Sequence, residues 1–117
     1  MGIKTIYISG KISGLPISEV ISKFQRACAK VKRFGLEPKN PLDNGLPWDA
    51  AWEDQIGKDI SILLRCDAIY LLPDYLESEG AQIELAVARQ RQMPIFIDAT
   101  ITPKNRPAGA KELKRYE

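Results

Sequence analysis

Glu84 is a carboxylate in an apolar place. It sits in the run SEGAQIELAVA, residues 78–88, whose spacing predicts the start of a helix. Its neighbours one turn away are Gly80, Ala81, Val87 and Ala88. At about 100° per residue all four fall on a stripe centred on Glu84. The polar face lies elsewhere, on Glu79, Gln82 and Arg89. Burying an unpaired carboxylate is costly. Glu84 is therefore either paired with a lysine at the helix surface or desolvated and tuned as a nucleophile or base. The small neighbours leave room for a ligand and favour the second reading.

Other candidates gather around it. Asp59, on an expected second helix, lies on the rim of the apolar face near Leu63 and above Trp52; the alternative is a surface ion pair with Lys58 or Arg65. Tyr7 shares a strand face with Thr5 and Ser9, and its hydroxyl is placed to reach a carboxylate; a buried tyrosine with a satisfied hydroxyl is the plainer reading. The loop Gly10-Lys11-Ile12-Ser13-Gly14 follows a strand and precedes a helix. Its glycines let backbone N–H groups approach an anion, and Lys11 adds charge. It is neither GxxxxGK[ST] nor GxGxxG. Ser78 and Gly80 open the third helix on the same rim and offer a second contact through a hydroxyl and a helix N-terminus. Trp48 and Trp52 flank a loop that either closes over a flat ring or plugs the packing. Asp74 is a candidate for a ligand hydroxyl, whereas Asp67 reads as a turn residue at a strand start.

Composition narrows the chemistry. The chain has 117 residues, 44% hydrophobic and 27% charged, which suits one soluble domain. A net charge of +2 argues against a nucleic-acid polymer as partner. Histidine is absent, so acid–base work falls to carboxylates, lysine, tyrosine or cysteine. No residues show metal-ligand spacing, and no cofactor is expected. Cys28 and Cys66 are far apart and read as reduced thiols of a cytoplasmic protein. The chain runs straight into a strand with no signal peptide expected, and no apolar run suits a membrane span.

The elements that must position these residues alternate. Strands are expected over 3–9, 36–39, 68–72 and 94–97, and helices over 18–34, 50–65 and 79–92. Trp52, Ile56, Ile60, Leu63 and Leu64 are expected to form the buried face of the second helix. The pattern predicts an α/β fold: a flavodoxin-like or Rossmann-like open parallel sheet of four to five strands with helices on both faces, ordered 2-1-3-4. Ligands of such sheets sit beyond the strand ends where the order switches. That puts the crevice between the Gly10–Gly14 loop and residues 73–80. Residues 1–99 form the expected domain. The charged tail 100–117 either moves freely or docks on a partner subunit.

Three segments, YISGKISG, WEDQIGKDISILLRCDAIYLLPD and S-x-G-x-x-x-E before an alanine-rich helix, together resemble the nucleoside 2-deoxyribosyltransferase-like superfamily. Within it the chain is similar to the 2′-deoxynucleoside 5′-phosphate N-hydrolases and to small uncharacterised bacterial and phage domains. The resemblance covers residues 3–97. It implies that Glu84 is the nucleophile, Asp59 the assisting acid and Tyr7 a contact to the nucleophile. It implies that Gly10, Lys11, Ser13, Gly14, Ser78 and Gly80 hold the sugar or its 5′-phosphate. The N-hydrolases resemble G-S-I-R-G in the first loop, where this chain has G-K-I-S-G, so the positive charge has moved by two positions. The resemblance further implies a homodimer or higher homo-oligomer in which a neighbour's C-terminal region completes the pocket, although the tail here matches none of those residues. The substrate it implies is a nucleoside or nucleotide, cleaved at its N-glycosidic bond by hydrolysis or by transfer to another base. The alternative is a non-catalytic module that senses a nucleotide in the same crevice. An enzyme needs Glu84 and Asp59 to face one cavity; a binder does not.

Overall fold

The computed structural model describes residues 2–114. Strand β1 (Thr5–Ser9) is the centre of the molecule, with Ile6, Tyr7, Ile8 and Ser9 all buried. Its alternation divides the core in two. Ile6 and Ile8 face helix α1 (Ile17–Arg33), which buries Val20, Phe24, Ala27 and Val31 at helical spacing. Tyr7 points the other way, into a second cluster with Leu63, Ile69, Leu71, Ala81 and Ala88. Glu19 in the first turn of α1 and Lys30, Lys32 and Arg33 in the last complement the helix dipole. Gly35, at φ +85°, ends it in a left-handed conformation.

Strand β2 (Glu37–Lys39) pairs with β1 in parallel at the sheet edge, the position where Pro38 is tolerated. Helix α2 (Trp52–Leu64), strand β3 (Ala68–Leu71), helix α3 (Glu79–Gln90) and strand β4 (Ile95–Ile97) follow. Tyr7 lies opposite Ile69, and Ser9 opposite Leu71. Asp67 ties the strand starts together by accepting from the backbone N–H groups of Lys4 and Thr5. Helix α3 stops at Gln90, two residues short of expectation, because the chain turns back through Gln92 at φ 55° to enter β4.

The sheet order is β2-β1-β3-β4-β5, all parallel. The fifth strand, β5 (Lys111–Glu112), comes from the expected tail. Ile101 is buried, and Arg106 bonds the Ile101 carbonyl and pairs with Glu112, so residues 100–112 lie against the chain's own sheet. Residues 115–117 of that expected tail lie outside the described residues. Helices cover both faces, α1 on one and α2 with α3 on the other.

The expected buried face of α2 needs correction. Trp52 and Leu64 are 46% and 49% exposed, while Asp59 and Leu63 are buried. The helix turns its Asp59–Leu63 line toward β1 and α3, and Trp52 is left at an open mouth. Among the described residues no helix is long and apolar enough to cross a membrane.

Gly10 shows how closely the switch point is packed. A Cβ built there would lie 2.6 Å from Leu72 Cδ1 and 2.9 Å from its Cβ. Gly10→Ala is expected to lower stability by roughly 1–3 kcal/mol, as forced overpacking does. Urea denaturation checks this; an unchanged midpoint would show that the two loops are free to part.

Candidate functional site

The chain leaves β1 for the far edge at β2 and returns to β3 on the other side, so the switch point lies between β1 and β3. A cavity of about 1020 Å³ opens there, at the upper end of the roughly 300–1,000 Å³ usual for small-molecule sites.

Glu84 lies at its floor, 5% exposed. The side chains that hold it come from β1. Tyr7 donates its hydroxyl to Glu84 Oε2 at 2.7 Å, and Ser9 donates to Oε1 at 2.7 Å. Both carboxylate oxygens are thus oriented by short charge-assisted bonds. Alternation along β1 puts both donors on the face that α3 covers. Gly80, Ala81 and Ala88 supply the shallow surface that brings α3 close. Burial pushes the Glu84 carboxyl up to about 7; the bonds from Ser9 and Tyr7 pull it down, and the charge of Asp59 adds to the rise. Burial likewise holds the Tyr7 phenol well above its ordinary range, so it remains a donor.

Asp59, 6% exposed, lines the same cavity from α2. Asn44 donates to its Oδ1 at 2.9 Å. Asn44 is itself fixed on every side: its amide also donates to Gln55, and its carbonyl accepts from the Leu46 N–H. Burial raises the Asp59 carboxyl to about 6, against the pull of the Asn44 bond. The second oxygen of Asp59 makes no hydrogen bond among the described residues. Two carboxyls in one pocket therefore titrate near neutrality, the range suited to proton transfer and to a carboxylate nucleophile.

The loop of Gly10, Lys11, Ile12, Ser13 and Gly14 forms one wall. Ser78 and Gly80 form another at the start of α3, where Ser78 Oγ caps the helix by accepting from the Ala81 N–H at 3.0 Å. Trp48 and Trp52 stand at the mouth, half exposed. Asp74 is the expected site residue that does not line the cavity. Its Oδ1 accepts the Lys11 N–H at 3.0 Å and its Oδ2 pairs with Lys23 at 2.6 Å. Lys23 also donates to the Lys11 carbonyl. Asp74 thus staples the β1 loop to the loop after β3, with one partner on each oxygen. Ser9, Asn44, Gln55 and Lys23 are absent from the sequence-derived set. Ser9 shares the Tyr7 strand face, which is the one signal that pointed to it. Among the described residues no group of three or more cysteine or acidic side chains is arranged to hold a metal.

The burial of Glu84 has a stability consequence. Its ordinary value is 4.5 and its folded value about 7. Folding therefore takes up a proton between these pH values, and stability falls as pH rises through that window. The full penalty, reached above about pH 7, is roughly 3 kcal/mol at about 1.4 kcal/mol per pH unit. Glu84→Gln removes it, and weaker hydrogen bonds to the amide offset part of the gain. The variant is expected to melt about 5 °C above the wild type at pH 8 and level with it at pH 4. An equal gain at both pH values would show that the carboxyl charge is not the source.

The family described as a domain of unknown function, DUF4406, matches residues 4–97. Among solved structures, a 2-desoxiribosyltransferase from Leishmania mexicana aligns at TM-score 0.60 and 25% identity, over 80% of this chain and 63% of that one. The solution structure of BlsM aligns at 0.61 and 19% identity, over 82% and 64%. A conserved protein from Enterococcus faecalis V583 aligns at 0.60 and 17% identity, over 82% and 63%. The chain thus spans just under two thirds of the length of each. No curated protein matches it. The fold is nucleoside 2-deoxyribosyltransferase-like.

Proposed function

The chain belongs to the DUF4406 family of domains of unknown function, and we propose that this member breaks the N-glycosidic bond of a 2′-deoxynucleoside or its 5′-monophosphate through Glu84. The observation that carries the reading is a buried carboxylate, held at both oxygens by Tyr7 and Ser9, facing a nucleoside-sized cavity that it shares with Asp59. The likeness to the 2-desoxiribosyltransferase from Leishmania mexicana supports the same class of chemistry.

In this reading the ionised Glu84 attacks the anomeric carbon of the sugar. The bond to the base nitrogen breaks, its electron pair leaves with the base, and Asp59 delivers the proton that nitrogen needs. The sugar is left as an ester on Glu84. Tyr7 and Ser9 share the carboxylate charge in the free enzyme and release it as the ester forms. Water, or a second base, then attacks the same carbon and frees Glu84, while Asp59 takes back a proton. Positive charge developing on the ring oxygen is met by the carboxylate beneath it. The facing of both carboxyls into one cavity favours this over a module that only binds.

The test is product analysis of deoxynucleosides and their 5′-monophosphates incubated with the protein. Free base is the expected product. Nucleotide binding with no base from any substrate would leave the fold as a sensing module.

A further inference from the structure

The charge of the cavity bears on its substrate, and the argument rests on the reading above. Lys11 is the one cation among the described residues that line it. Against it stand four carboxyls, Asp59, Glu77, Glu79 and Glu84. With both buried acids protonated, Glu77 and Glu79 still outnumber the lysine. They are exposed and flank Ser78 at the mouth, and neither forms an ion pair among the described residues.

Part of what could cradle a phosphate is already engaged. The Lys11 N–H points to Asp74, while Ser78 Oγ accepts from the Ala81 N–H and keeps its own hydrogen, which serves a ligand hydroxyl as well as a phosphate. The positive end of the α3 dipole is met by Glu79 in the helix's own first turn. A phosphate dianion entering here would shed water for one ammonium and neutral hydroxyl or amide donors, and would pass two like charges. A neutral 5′-hydroxyl meets no such cost. We infer that the pocket takes the nucleoside without its 5′-phosphate, and that Glu77 and Glu79 are the specificity-determining residues that turn the phosphate away.

The experiment compares one 2′-deoxynucleoside with its 5′-monophosphate, for the wild type and for Glu77→Gln/Glu79→Gln. kcat/KM is read at low and high salt, and Kd for the same two ligands by calorimetry. The wild type is expected to prefer the nucleoside by about tenfold or more at low salt, with the ratio shrinking as salt rises, because exposed charges are screened. The double variant should narrow the low-salt ratio by about fivefold and lose most of its salt dependence. A wild type that prefers the monophosphate, or a ratio unmoved in the variant, overturns the inference. Should turnover be absent while the nucleoside still binds more tightly, the inference stands and the enzymatic reading falls. Should neither ligand bind, both fall.

Discussion

Glu84→Gln is expected to release base from a deoxynucleoside more slowly than the wild type by a factor on the order of 10³–10⁶, the range seen when a covalent nucleophile is removed. The substitution keeps the side-chain volume and leaves the hydroxyls of Tyr7 and Ser9 within hydrogen-bonding reach of the side chain. It takes away the charge that attacks the anomeric carbon. Single-turnover measurement of free base checks it. Retention of turnover within about tenfold would remove Glu84 from the nucleophile's role. Glu84→Ala adds an independent readout. It opens space at the cavity floor, where azide or formate can attack the sugar directly. Partial recovery with such an ion marks a lost nucleophile; a side chain that only shaped the pocket would not be rescued. The expected rise in melting temperature at pH 8 keeps misfolding from imitating the result.

Asp59→Asn is expected to slow base release by about 10²–10⁴-fold, the usual contribution of a positioned general acid. It should also reshape the pH dependence. The productive form has Glu84 ionised and Asp59 protonated, with the two groups titrating near 7 and 6. That form is the minority state of the pair, and the wild-type profile is a narrow bell peaking between those two values. The apparent limbs belong to the pair rather than to either residue. In Asp59→Asn the alkaline limb should vanish, because no acid is left to ionise. The acid limb should move up toward the value of Glu84 itself, because the wild-type acid limb is set by the first proton the pair loses, which leaves mostly from Asp59. An alkaline limb that persists in the variant would assign the acid to another group.

How much of this was legible depends on the range of each interaction. The burial of Glu84 was visible because Gly80, Ala81 and Ala88 lie within one turn of it, and helical periodicity is local. The alternation of strands and helices gave the parallel sheet for the same reason. The partners of Glu84 were harder, because Ser9 and Tyr7 sit 75 and 77 residues away and meet it through the packing of α3 on β1. Asn44 lies in a stretch that reads only as loop chemistry, yet it fixes Asp59. The pairing of Asp74 was hidden because Lys23, its ion-pair partner, lies 51 residues away on α1 and carries no mark of that pairing in sequence. The face of α2 was misjudged because an apolar residue at a cavity mouth and one in a core look alike in a helical pattern. Strand β5 is two charged residues long and has no strand signature.

The two ends of the sheet bear on how the protein behaves when concentrated. One edge strand is three residues with a proline at its centre, and the other is a lysine beside a glutamate. The strands with long apolar runs, β1 and β3, are shut inside. A neighbouring chain that tried to extend the sheet would meet a missing donor on one side and desolvated charge on the other. The arrangement guards against fibril growth from the folded state.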